Sequence, residues 1–91
     1  MGYTSAKPAR LAEKLLAIRT GLGLSQNGLL KHLGLAEDLS RGSVSEFERG
    51  RREPSLLILL KYARAAGVPM DDLVDDDIDL PKTLPGKKRK P

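Results

Sequence analysis

Residues 24–55 read LSQNGLLKHLGLAEDLSRGSVSEFERGRREPS, and this stretch decides the fold. It holds two helix-length segments, each preceded by a serine, which can cap a helix N-terminus, and followed by a glycine, which can end a helix. The serine and glycine pairs are Ser25 with Gly34, and Ser40 with Gly50. The stretch therefore predicts two short paired helices, Gln26–Leu33 and Arg41–Glu48.

Three further helices are expected on either side of this pair. Before it, apolar residues repeat at steps of four, three and four, which is the spacing of one helix face; they are Leu11, Leu15, Ile18 and Leu22. This pattern places a first helix at about 9–20. After the pair, Ser55 caps a helix that runs to about Ala66, and Pro69 opens a last short one. No alternating pattern indicates a strand, so the expected fold is all-α with five short helices.

Composition limits the classes of protein to which the chain can belong. Its 91 residues fit one small domain. Cysteine is absent, which excludes disulfides and cysteine-bound zinc. No apolar run is long enough for a membrane span, and the first residues show no apolar secretion signal. The net charge of +4 and a pI near 9.6 are compatible with nucleic acid as a partner.

The charges divide the chain into three parts. Residues 1–70 carry a net +5, residues 71–80 hold six aspartates and no base, and residues 81–91 hold five Lys and Arg and no acid. We expect a flexible arm at 1–8, a helical domain at 9–75, and a tail at 76–91 that is first acidic and then basic. From about Asp75 onward the composition predicts little contribution to the core.

Four short strings resemble the phage-repressor-like helix-turn-helix family, also called the xenobiotic-response-element type. They are Leu24-Ser25-Gln26, Gly34, Val44 to Gly50 (VSEFERG), and Glu53-Pro54-Ser55. The resemblance covers about residues 10–75. It implies a lambda-repressor-like domain and a cytoplasmic, nucleoid-associated transcription regulator of bacterial or phage origin. Such a protein would bind double-stranded DNA at an operator as a homodimer.

The resemblance also implies which residues meet DNA. The second helix of the pair lies in the major groove in this family, and its first residues reach base edges. Arg41 is then the main base reader, because arginine pairs with guanine in two hydrogen bonds. Gln26 and the loop residues Arg51 and Arg52 would contact phosphates. The full expected set is Gln26, Asn27, Arg41, Gly42, Ser43, Ser45, Glu46, Arg49, Arg51 and Arg52.

Two structural contacts are expected beside the DNA contacts. In the resembled family an arginine late in the first helix pairs with a glutamate near the end of the recognition helix; the matching residues are Arg19 and Glu48. The fourth helix holds more leucine and isoleucine than one inner face needs, so a dimer contact is expected near its end. The expected dimer residues are Val68, Met70, Leu73 and Val74. In the competing interpretation, these residues fill the core of the monomer.

The chain departs from the family in one place. The connection from Gly34 to Ser40 is longer than the three or four residues usual there, and it includes Glu37 and Asp38. Acidic side chains close to DNA are unfavourable unless they point away or lie at a positive helix N-terminus. The position of the two helices, and the contacts around Arg41, depend on how this connection folds.

Other functions have less support in the sequence. An antitoxin or other interaction protein would use residues 71–91 to bind a protein partner while regulating its own promoter. For an enzyme, the sequence holds no histidine–carboxylate–nucleophile set and no phosphate-binding glycine loop. His32 is the single histidine, and the aspartate run fits a solvated acidic face better than a calcium loop. No metal and no cofactor are therefore expected.

Overall fold

The computed structural model describes residues 8–87, so the predicted arm before Pro8 and the basic tail residues 88–91 lie outside the described part. Five α-helices follow one another, and no strand occurs in residues 8–87. They are α1 (Leu11–Gly21), α2 (Gln26–Leu33), α3 (Arg41–Glu48), α4 (Leu56–Ala66) and α5 (Met70–Val74), followed by a 3₁₀ turn at Pro85–Lys87. The expected all-α, five-helix architecture is confirmed.

Serine caps define the beginnings of α2 and α4. The Oγ of Ser25 accepts a hydrogen bond from the N–H of Gly28, and the Oγ of Ser55 accepts one from Ile58. Gly34 ends α2 with a φ of 73°, in the left-handed region that suits glycine. Ser40 precedes α3 in an extended conformation, but its side chain makes no cap hydrogen bond.

An aliphatic core joins the helices. α4 contacts α1, α2 and α5, and α1 also contacts α3 and α5. The residues with no solvent exposure are Leu15, Ile18, Leu29, Ala66 and Leu73. Tyr62 is buried among them, and its hydroxyl has no hydrogen-bond partner within residues 8–87. Burial raises the pKa of Tyr62, and the nearby charge of Glu48 raises it further.

The segment after α5 contributes to this core. The expectation that residues from about Asp75 onward add little to the core was therefore wrong for the described part, which ends at Lys87. Leu84 is 6% exposed, and Leu80 packs against the core while half-buried. The 3₁₀ turn lies against α4. Glycine is required at position 86, because a Cβ there would overlap the carbonyl oxygen of Ala65.

A buried lysine holds α5 and the segment after it against α1. The side chain of Lys14 is 2% exposed. Its Nζ donates hydrogen bonds of 2.8, 2.8 and 2.7 Å to the carbonyl oxygens of Asp72, Asp75 and Ile78. A buried ammonium is tolerated when its three N–H donors are all satisfied. Lys14 therefore joins the first turns of α1 to the end of the domain.

Asp76 adds a second connection at the same place. Its carboxylate accepts hydrogen bonds of 2.8 and 3.0 Å from the N–H groups of Ala9 and Arg10, which cap α1. These two hydrogen bonds lower the pKa of Asp76, that from Ala9 most. α1 itself begins at Leu11, two residues after the predicted start. Asp76 is thus a helix cap and not part of a solvated acidic face.

The predicted dimer residues lie largely inside the monomer. Leu73 has no exposed surface and Val68 is 9% exposed, while Met70 packs partly buried against the core. Only Val74 is exposed, at 37%. Leu73 of α5 and Val68 before it therefore pack in the core of the monomer, as the competing interpretation expects. A dimer contact at residues 68–74 stays a prediction.

Candidate nucleic-acid interface

α3 presents one side to the core and the other to solvent. Val44 and Phe47 are 1% and 2% exposed and fix the inner side. Of the predicted DNA contacts on this helix and its C-cap, four are exposed and two are half-buried. The exposed residues are Arg41, Gly42, Glu46 and Arg49, and the half-buried ones are Ser43 and Ser45. The structure thus brings these candidate residues together on one accessible surface.

An ion pair ties α3 to α1. The Nε and Nη2 atoms of Arg19 lie 2.6 and 3.1 Å from the two carboxylate oxygens of Glu48. Their side chains are 16% and 7% exposed, respectively. The hydrogen bond with Glu48 raises the pKa of Arg19, although burial acts against it. The Nη1 of Arg19 also donates to the carbonyl of Leu24, 3.0 Å away, so one guanidinium fixes both α3 and the turn before α2.

Gln26 lies at the junction of α2 and α3. It is the first residue of α2, and its Nε2 donates a 3.2 Å hydrogen bond to Glu48 Oε1. Glu48 therefore accepts hydrogen bonds from α1 and α2 at once. The neighbouring residue, Asn27, is exposed. This network gives the start of α2 a fixed position beside α3.

A groove of about 450 Å³ runs between α2 and the beginning of α3. Asn27 and Lys31 line its α2 side, and Arg41 lines its α3 side. Lys31 was not among the residues predicted from the sequence. Its spacing could have identified it, because Lys31 follows Asn27 by four residues and residues four apart lie on the same face of a helix.

The long connection between α2 and α3 folds as a compact turn. Leu35 is 8% exposed, and Leu39 packs half-buried against the core. The N–H groups of Asp38 and Leu39 both donate to the carbonyl of Leu35 at 3.0 Å. Glu37 and Asp38 are exposed. Leu35 and Leu39 therefore hold the longer connection against the core, and α2 and α3 still pack against each other.

The two arginines after α3 differ in their surroundings, although both are exposed. Arg52 Nη1 donates a 3.2 Å hydrogen bond to Ser43 Oγ and lies 3.8 Å from Glu46 Oε1. Its guanidinium carbon lies 5.6 Å from the centre of the Phe47 ring, within cation–π range. Arg51 takes no part in these side-chain contacts. The sequence predicts equal phosphate roles for the two arginines, but only Arg52 is held against α3.

Residues 8–87 hold no group of three or more His, Cys, Asp or Glu side chains arranged to bind a metal ion. Within the same residues, no helix combines the length and apolar character that crossing a membrane requires.

Comparison with known proteins identifies the family. A family model described as Helix-turn-helix matches residues 15–73, which is more than half of the chain. No curated protein and no solved structure matches the chain. The matched range begins in α1, ends in α5 and includes the α2–α3 pair with its exposed basic surface. The chain therefore belongs to the helix-turn-helix family, of the phage-repressor-like, xenobiotic-response-element type, and is a DNA-binding regulator.

Proposed function

We propose that the protein binds an operator in double-stranded DNA as a homodimer, with α3 of each copy in the major groove. The observation that carries this proposal is the exposed side of α3, where arginines and small polar residues stand opposite the buried anchors Val44 and Phe47. Such a helix fits the groove with its N-terminal residues at base edges.

The residues divide between base reading and phosphate binding. Arg41, at the start of α3, suits a guanine, whose O6 and N7 accept two hydrogen bonds. Ser45, Glu46 and Arg49 are the other candidates along the helix, and Gly42 allows close approach of the backbone. Phosphate contacts give affinity and register rather than specificity. We assign them to Gln26, Asn27 and Arg51, and we add Lys31 because it shares the α2–α3 groove with Asn27 and Arg41.

The small size of α3 is the reason to expect a dimer. One helix of eight residues contacts only a few base pairs, which is too little to select one site among millions. Two-fold symmetry doubles the contacted sequence, with half-sites ~34 Å apart. Leu56 and Leu57, 75% and 62% exposed at the start of α4, are the most exposed large apolar side chains in residues 8–87. We propose them as the dimer contact in place of residues 68–74.

The test is selection from a random duplex pool with the purified protein. The expected product is an inverted repeat with half-sites about one helical turn apart. Arg41→Ala serves as the control variant and should enrich a weaker motif that is degenerate at one position of each half-site. A wild-type protein that enriches no sequence would overturn operator binding, and a motif without symmetry would overturn the dimer.

The alternative role as a protein-binding antitoxin gains no specific support. It depended on residues 71–91 being available to a partner. Within the described part of that segment, Leu73 and Leu84 are buried, and the backbone of Asp72, Asp75 and Ile78 is bound to Lys14. These atoms are engaged inside the domain, so the DNA-binding function remains the one that the geometry favours.

A further inference from the structure

Arg52 leaves the connection between α3 and α4 and folds back onto α3. Its three neighbours there are Ser43, Glu46 and Phe47, which occupy consecutive turns on one side of the helix. Ser43 and Glu46 belong to the surface that we assign to DNA, while Phe47 is a core anchor. Arg52 therefore connects the outer face of the recognition helix to its buried support.

The direction of the hydrogen bond defines what Ser43 offers to DNA. A guanidinium can only donate, so Ser43 Oγ is the acceptor in the 3.2 Å contact with Arg52. The hydroxyl proton then remains free to donate outward. With Arg52 in place, Ser43 suits an acceptor on the DNA, whether a phosphate oxygen or the N7 of a purine.

Glu46 lies beside the same guanidinium. The two side chains are both 51% exposed, and their nearest charged atoms are 3.8 Å apart. An exposed pair of this kind adds little to stability. It restricts the positions that the Glu46 carboxylate takes, and it offsets a negative charge that would otherwise face phosphates. Glu46 can then accept from an amino group of cytosine or adenine.

We propose that Arg52 is a specificity-positioning residue, which sets the base preference of α3 by fixing Ser43 as a donor and by drawing the Glu46 carboxylate towards its guanidinium. The proposal rests on the proposed operator binding. It assigns Arg52 a role different from that of Arg51, since a phosphate anchor needs only a positive charge. A planar guanidinium can stack on an aromatic ring and donate along two directions, which a lysine ammonium does not reproduce.

The distinguishing experiment replaces Arg52 by lysine. The matched control is Arg64→Lys, at an exposed arginine of α4 outside the surface that we assign to DNA. Wild type and both variants are each used in selection from a random duplex pool. Their affinity for a mixed-sequence duplex is measured at several salt concentrations. Arg52→Lys should keep the mixed-sequence affinity and its salt dependence, because the charge is retained. Its affinity for the sequence that wild type selects should fall about tenfold, equivalent to ~1.4 kcal/mol. The motif that it selects should also differ from that of wild type. Arg64→Lys should change neither the selected motif nor the affinity for either duplex.

A second variant tests the route through Ser43. Ser43→Ala should alter those motif positions of the Arg52→Lys set that Ser43 reads, and at these positions the double variant should lose no more affinity than Ser43→Ala alone. Thermal melting checks that each variant is folded. If Arg52→Lys selects the wild-type motif with wild-type affinity, or weakens all sequences equally, the positioning role is wrong while operator binding stands. If the wild type itself enriches no sequence, the proposed function fails, and the positioning role fails with it.

Discussion

The guanidinium of Arg19 and the carboxylate of Glu48 form a two-point ion pair between α1 and the end of α3, with N···O distances of 2.6 and 3.1 Å. Gln26 donates to the same carboxylate from α2. The helices α1, α2 and α3 therefore meet at Glu48. Its value to the protein is expected to lie in orientation more than in net stability, since apolar residues often replace such pairs without loss.

Separating orientation from stability requires single and double replacements of this pair. Glu48→Leu should lose ~3 kcal/mol in the free energy of unfolding, because Arg19 is left partly buried without its partner. Arg19→Met with Glu48→Leu should recover most of that loss and yet bind a mixed-sequence duplex more weakly than wild type. Urea unfolding and fluorescence anisotropy measure the two quantities. Glu13→Leu, which removes an exposed ion pair with Arg10, is the control and should change little. Wild-type affinity in the double variant would contradict the orienting role.

Arg41 and Arg51 should differ in how their loss affects binding. Arg41→Ala is expected to cost ~1–3 kcal/mol at the selected operator and to relax one base position. Arg51→Ala should weaken all sequences by a similar factor and reduce the salt slope by about one unit. Titrations of operator and mixed-sequence duplex across salt concentrations compare the two. A uniform loss for Arg41→Ala would show that Arg41 binds phosphate and not a base.

The start of α4 should control self-association. Leu56→Glu with Leu57→Glu places charges on the most exposed apolar surface of the described chain and should abolish dimers. The folded monomer should persist, because neither leucine belongs to the core. Sedimentation of free and DNA-bound protein measures the change. Leu16→Glu, at a leucine of α1 that is 39% exposed, is the control. A wild type that remains monomeric on its operator would exclude this surface and the homodimer together.

Stability should depend on pH through Asp76. The pKa of its carboxyl is lowered from the ordinary value of 3.8 in the folded protein, first by the hydrogen bond from Ala9 and then by that from Arg10. A lowered pKa stabilises the fold above the unfolded-state value and loses this effect as pH falls through the folded-state value. Asp76→Asn should therefore flatten the decrease in stability below about pH 4, as measured by urea unfolding. Asp77→Asn is the matched control, and an identical acid profile in both variants would exclude the cap as the cause.

The packing of the C-terminal segment should be sensitive at Gly86. Gly86→Ala adds a Cβ where the carbonyl of Ala65 already lies, so the 3₁₀ turn must move away from α4. Overpacking of this kind typically costs ~1–3 kcal/mol. Thermal unfolding measures the loss, and Thr83→Ala, at an exposed position nearby, is the control. If both variants melt as wild type does, the packing of residues 80–87 contributes nothing to the fold.

Local signals were sufficient to predict the helices, because caps, glycines and apolar spacing act within a few residues. Gln26–Leu33 and Arg41–Glu48 were predicted with the bounds observed. The Arg19–Glu48 pair was expected from the family resemblance, whereas the other contacts between distant segments were not predicted from composition. Lys14 lies on the apolar face between Leu11 and Ile18, which was the available sign of burial, but its three acceptors are 58 to 64 residues away. The hold of Arg52 on α3 likewise depends on a loop path that no local pattern encodes.

The hydrogen bonds of Lys14 also govern the order in which this domain can be completed during synthesis. The lysine is translated early, whereas the carbonyl of Ile78 is made only near the end of the domain. Until Ile78 leaves the ribosome, the ammonium of Lys14 cannot be buried with its donors satisfied. Contacts over such sequence distances slow folding. The nascent helices should therefore stay loosely packed until residues 72–78 emerge, and stable docking of α3 for DNA binding should follow their emergence.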